Sequence, residues 1–252
     1  MFFGRDAQIV RGLDALRGMR RSRLETLFVV LGPSGTGKSS FLRAGLLPRL
    51  RRDDRDFLLL DIVRPQRNVL VGDTGLAKAI HATRVGLGLS APNLGDIKRA
   101  CLAGQAEQVR EWLLEAQHAA AARLLTAPGE QSLPTLVLPV DQAEELFSAD
   151  AGQEAALFLQ LIAHLAGDGL IVAITIRSDL YEPLQTAPQL AEIGSVLFDD
   201  LKPMPRTQFK EVITGPAARV AEGGAHSRSS PHWSITSWRT APRVRTHCRC
   251  SP

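Results

Sequence analysis

The stretch Gly32-Pro33-Ser34-Gly35-Thr36-Gly37-Lys38-Ser39 matches the pattern G-x-x-x-x-G-K-[ST] at every required position, and its flanks supply the context that the pattern needs. Residues 27–31, Leu-Phe-Val-Val-Leu, are a short apolar run that reads as a buried strand, and residues 40–47 begin like a helix. Glycines in the loop let backbone N–H groups turn inward around an anion, where the helix N-terminus adds partial positive charge. In this reading Pro33, Ser34, Thr36 and Ser40 complete the cradle with Gly32, Gly35 and Gly37, Lys38 reaches the β- and γ-phosphates, and the Ser39 hydroxyl ligates Mg²⁺. The plainer alternative is a glycine-rich turn followed by a coincidental Lys-Ser. The matching context makes nucleotide binding the leading expectation.

A chain of 252 residues buries a full core and holds one large domain, or a domain with an appendage. Hydrophobic content of 44% and charged content of 22% are those of ordinary globular proteins. No apolar run approaches the ~18 residues of a membrane span, and Met1-Phe2-Phe3-Gly4 lacks the cationic and hydrophobic regions of a signal peptide. A cytoplasmic protein without a membrane partner is expected. Cys101 stands alone in the first 224 residues, which gives no disulfide framework.

The net charge of +4 is unevenly spread. Residues 225–252 carry five arginines and no acid, which leaves residues 1–224 with 25 basic and 26 acidic side chains. Nucleic acid is therefore not an expected partner of the body. Apolar periodicity fades beyond Gly224, where Ser, Pro, Thr, Arg and His take over. The expected division is a core over 1–224 and an irregular basic tail over 225–252.

Along the body, helical and extended patterns alternate as in an α/β protein. Residues 6–17 carry Ile9, Val10, Leu13 and Leu16 at helical spacing, with residues 20–23 as a polar link. Residues 57–63 read as a second strand, 76–85 as a helix, and 94–125 as mostly helical. Residues 133–140 approach a third strand and 170–176 form a fourth. A short fifth strand covers 196–198, and another helix starts over 205–212.

The third strand delivers Asp141 at its C-terminal end, a Walker B pattern. Such an acid can hold the Mg²⁺ hydration shell opposite Ser39, because open parallel sheets place ligands at the carboxyl ends of their strands. Glu144 and Glu145 follow, and either can orient or deprotonate an attacking water. The alternative is an N-cap with glutamates favoured by the helix dipole. The fourth strand ends in Arg177-Ser178-Asp179. Arg177 either approaches a γ-phosphate or pairs with a nearby acid while Asp179 caps the next helix. The six histidines form no metal-binding spacing in the body, and His247-Cys248-Arg249-Cys250 reads as a chance cluster.

Three segments together, GPSGTGKSSFLRAGLLPRL (32–50), DQAEELF (141–147) and ITIRSDLY (174–181), resemble the bacterial novel STAND P-loop NTPases, signal transduction ATPases with numerous domains. FFGRD (2–6) resembles the entry motif of that family and ITGPA (213–217) the close of its NTPase core. The resemblance implies an α/β P-loop NTPase of ASCE, AAA-like type, a parallel five-stranded sheet flanked by helices with one strand between those of the phosphate loop and Asp141. It implies ATP and Mg²⁺ as cofactors, with Gly32, Gly35, Gly37, Lys38 and Ser39 binding phosphate and metal and Asp141 holding Mg²⁺. Glu144 or Glu145 then polarises water, Arg177 becomes the sensor, and Phe3, Gly4 and Arg5 lie near the adenine. Two departures stand out: Pro139 interrupts the strand before Asp141 and removes a ladder N–H, and Ala143 replaces an aromatic residue.

Members of this family act as switches, so the implied function is an ATP-binding regulatory core that hydrolyses slowly and works through self-association or protein signalling partners. The alternatives are a non-hydrolysing scaffold and a DNA-associated initiator-like ATPase. The chain reads as an isolated or truncated NTPase core, with 225–252 expected to be a frameshifted tail. Codons allowed by residues 224–252 can be chosen so that a shifted frame resembles the family's helical continuation.

Overall fold

Residues 5–124, 132–148, 151–166, 169–199 and 201–202 are described by the structure, a computed structural model. The expected helix at 205–212 and the tail lie outside them. Strands β1 (Glu25–Gly32), β2 (Phe57–Leu59), β3 (Thr135–Val140), β4 (Leu170–Arg177) and β5 (Gly194–Phe198) form one sheet in the order β2-β3-β4-β1-β5. Every pairing is parallel. β4 thus lies between the glycine-loop strand β1 and β3, the ASCE arrangement that the resemblance implied.

Why β1 and β4 are apolar almost throughout follows from burial on both faces, which a parallel sheet with helical layers demands. Alternate residues serve opposite layers. Leu27, Val29, Leu136, Leu138, Val172 and Ile174 face one core with helices α4 (Leu76–Gly86), α5 (Leu94–Leu102), α6 (Ala106–Arg123) and α7 (Gly152–Leu165). Phe28, Val30, Val137, Ile171 and Ala173 face the other, packed under α1 (Asp6–Ser22) and the helical run after the glycine loop. That run comprises α2 (Lys38–Ser40), a π-helical segment (Phe41–Leu46) and α3 (Leu47–Leu50).

The boundaries differ from the sequence reading where local contacts decide. α1 continues through Arg20 and Arg21, since basic groups suit a last helical turn; Arg20 Nη2 also pairs with Asp56 at 2.9 Å. The 94–125 stretch divides at Gly104, which adopts a left-handed φ of 64°. β2 is shorter than expected, although Val63 still bridges to Val140. β3 runs through Pro139 unbroken, in register with Ala173. Its carbonyl accepts from Val63 N, so its backbone N also faces the short, irregular β2 side, and the pairing with β4 needs no N–H there.

α8 (Glu182–Gln185) and three 3₁₀ turns, Ala143–Phe147, Ser178–Leu180 and Pro188–Leu190, complete the described elements. Phe198 of β5 stacks on Phe41 at 5.1 Å and tilts against Phe28 at 5.8 Å between ring centroids. The edge strand is fastened to the helical run in this way. Burial pushes the Cys101 thiol up to about 12, so it is an inert core group. Among the described residues no helix is long and apolar enough to cross a membrane.

Candidate functional site

β1 ends at Gly32, and the chain turns through Gly35 (φ 78°) and Gly37 (φ 86°) into α2. Both positive angles lie in the region that side-chain-bearing residues avoid. A Cβ on either residue meets nothing within 4 Å, so these glycines are required by backbone conformation and not by crowding. A Cβ on Gly32 would meet Thr36 Oγ1 at 2.9 Å and the Leu201 carbonyl at 3.2 Å. Thr36 in turn donates to the Pro33 carbonyl at 2.9 Å, which closes the loop on itself. Lys38 is only 9% exposed, and its Nζ donates to the Gly32 and Pro33 carbonyls at 2.8 and 2.9 Å. Burial lowers its pKa, with the Glu144 carboxylate opposing.

Parallel register decides what faces this loop. Gly32 pairs with Arg177, and Val140 pairs with Ile174, so the C-terminal ends of β1, β4 and β3 share one rim. A hollow of about 250 Å³ there is lined by Ser34, Gly35 and residues 37–40 of the loop, together with Gln142, Glu144, Thr175 and Arg177. The volume is just below the usual span of small-molecule sites, and it suits a phosphate chain more than a whole nucleotide.

Asp141 is fully buried behind that rim. Its Oδ1 accepts from Thr175 Oγ1 at 2.7 Å, while Oδ2 lies 2.8 Å from Arg43 Nη2 and 3.8 Å from Arg64 Nη2. Oδ2 makes no hydrogen bond in this arrangement, and neither does the buried Glu144 Oε2. Gln142 then takes a left-handed conformation (φ 66°, ψ 51°), and its N–H donates to Thr175 Oγ1 at 2.9 Å. The 3₁₀ turn that follows separates the two glutamates. Glu144 lines the hollow, whereas Glu145 turns toward Arg64, its pKa raised by burial and by the Glu144 charge and opposed by Arg64.

Arg177 makes a two-point pair with Asp179, Nε to Oδ1 at 3.1 Å and Nη2 to Oδ2 at 2.6 Å. This pairing raises the pKa of Arg177 and lowers that of Asp179. Asp179 therefore engages the arginine, and it still leaves Arg177 at the rim. Arg5 is 3% exposed and braces the loop from behind, donating to the Thr36 and Lys202 carbonyls, each at 2.9 Å. Burial lowers its pKa. Phe3 and Gly4 lie outside the described residues.

Sequence reasoning missed Arg43, Arg64, Thr175 and Gln142. A hydroxyl inside the apolar run LIVAITIR was the available signal for Thr175. Arg43 and Arg64 carried none, since their contacts depend on how the helical run and the segment after β2 pack around Asp141.

The family model described as Novel STAND NTPase 1 matches residues 1–225 of the chain. Among solved structures, Drosophila ORC bound to AT-rich DNA and Cdc6 aligns at 13% identity and a TM-score of 0.42, covering 89% of this chain and 65% of that one. Drosophila ORC bound to DNA aligns at 13% identity and a TM-score of 0.41, covering 81% and 97%. The chain thus spans just under two thirds of the first of these. No curated protein matches it.

Proposed function

The chain belongs to the novel STAND NTPase 1 family of nucleotide-binding NTPases, and from that premise we propose that it binds ATP with Mg²⁺, hydrolyses it slowly, and serves as a switch acting on protein partners. One observation carries the reading. Register across three parallel strands brings the glycine loop, the buried Lys38, Glu144 and Arg177 to a single hollow. The nearly dry Lys38 ammonium has two of its three donors on carbonyls, and a phosphate supplies the negative charge that its burial lacks.

The donor set fits a hard cation. Oxygen ligands suit Mg²⁺, Ser39 lines the hollow, Glu144 Oε2 is a buried oxygen without a hydrogen bond, and Asp141 Oδ2 would exchange its ion pair with Arg43 for the metal. Ser39 and Asp141 would hold the ion, which when bound neutralises charge on the β- and γ-phosphates. Glu144 is assigned to orient and deprotonate the attacking water because it, and not Glu145, lines the hollow. Arg177 sits across from it, where exchange of Asp179 for a γ-phosphate keeps the same two-point geometry.

Calorimetric titration of the wild type and Lys38→Ala with Mg-ATP tests the binding. Affinity is expected to fall by about a hundredfold or more, on the scale of ~1.5–3 kcal/mol per charge-assisted bond; equal affinity would overturn the assignment. Hydrolysis is tested by phosphate release from single variants. Glu144→Gln is expected to bind ATP and lose turnover by about 10²-fold or more, while Glu145→Gln keeps most of it. Turnover unchanged in Glu144→Gln places the base elsewhere.

A specific contact favours a second reading, nucleotide binding without turnover. Arg43 already neutralises Asp141 at 2.8 Å. If wild-type protein binds Mg-ATP and releases no phosphate over hours, this second reading replaces the first.

A further inference from the structure

Thr175 carries the single hydroxyl of β4 and is 1% exposed at the middle of the sheet, in register with Val30 of β1. Its one proton goes to Asp141 Oδ1 at 2.7 Å, which leaves a lone pair for the Gln142 N–H at 2.9 Å. The hydroxyl thus joins the last buried residue of the β3 end to the first residue of the turn that follows. Gln142 is held in a left-handed conformation that a residue with a side chain adopts reluctantly. Its carbonyl accepts from Glu145 N at 3.1 Å and opens the 3₁₀ turn, and the turn carries Glu144 into the hollow.

We propose that Thr175 is a positioning residue for hydrolysis, fixing the Asp141-Gln142 turn so that the Glu144 carboxylate is aimed over the glycine loop; this rests on the hydrolytic reading given above. The Asp141 N–H also donates to the Val63 carbonyl at 2.9 Å, a bond that ties the strand end but does not reach Gln142. Arg43 and Arg64 hold Oδ2 of Asp141 but do not touch the Gln142 backbone. Without the hydroxyl, the strained Gln142 loses the bond that keeps it in place, and the turn relaxes. Phosphate binding depends instead on Lys38 and the glycine loop, to which Thr175 donates nothing. Thr175 also lies two residues before Arg177 on the same strand, so the groups on both sides of the γ-phosphate position take their placement from one rigid element.

Thr175→Val keeps the branched shape and removes both hydrogen bonds. It is expected to lower kcat by about 10- to 100-fold, the effect of misplacing a catalytic group by about an ångström, while the calorimetric Kd for Mg-ATP, which also feels the loosened Asp141, changes by a clearly smaller factor. Thr175→Ser, which restores the hydroxyl, should recover most of the kcat. Thr175→Cys keeps the size with a weak donor and should fall between them, so it serves where the valine variant does not fold. A purely structural role lowers the melting temperature without separating kcat from affinity. Equal turnover in wild type and Thr175→Val, or parallel losses of kcat and affinity, would overturn the proposal while leaving nucleotide binding intact. Wild-type protein that binds Mg-ATP and releases no phosphate overturns it together with the hydrolytic reading; wild-type protein that binds no nucleotide overturns the whole functional assignment.

Discussion

Burial shifts both Lys38 and Glu145 toward their neutral forms. For Lys38, a phosphate bound as proposed would compensate. Glu145 has no such relief, because the nearby Glu144 and Asp141 charges add to the effect of burial and only Arg64 opposes them. A raised native pKa means that the folded protein binds more protons than the unfolded chain in the window between the ordinary glutamate value, near 4.3, and the raised one. Stability attributable to this group is therefore present at low pH and is lost as pH rises through that window. Glu145→Gln removes the dependence. Its melting temperature relative to wild type should be higher at pH 7 than at about pH 4, measured by thermal unfolding at both. A difference that stays constant with pH, or that favours the variant more in acid, contradicts this account.

Between residue and sheet, the helical run after the loop is the least regular element, and it too reaches Asp141. Pro48 has no N–H to return to the carbonyl four residues earlier, and the preceding segment from Phe41 to Leu46 is widened to π-helix. Arg43 extends from this segment to the buried carboxylate, and Phe41 stacks on Phe198. Phe198→Ala should cost about 3 kcal/mol or more in denaturant unfolding, because it empties the space between Phe28, Phe41 and the edge strand. Phe198→Leu, which refills most of that space, should cost distinctly less. Equal costs would mean that the stacked rings contribute little.

Elements with a strong local pattern were legible beforehand: the apolar runs of β1 and β4, and the strand-loop-helix context of Gly32 to Ser39. The π-helical segment was not, although Pro48 hints at an irregularity. Pro139 looked like a break because strand membership was read without knowing which neighbour its missing donor would face. Which of Glu144 and Glu145 lines the hollow depends on the 3₁₀ geometry of the turn, since the two differ by a single residue. The Thr175-Asp141 contact joins residues 34 apart in sequence, and only strand register brings such partners together.

At the scale of the molecule, the three-layer arrangement follows from two sets of alternating apolar residues on the same strands. Sheet order was implied by resemblance to a known family, not by spacing, because crossover connections leave no mark in hydrophobic periodicity. The bridge made by Arg5 is also a whole-molecule feature. Its guanidinium grips the carbonyl of Thr36 in the loop and that of Lys202 beyond the last strand, 197 residues away from Arg5. Mechanically, this side chain is a short strut between the glycine loop and Lys202. A pull applied at Lys202 therefore loads the loop through one nitrogen, Nη2, which holds both carbonyls.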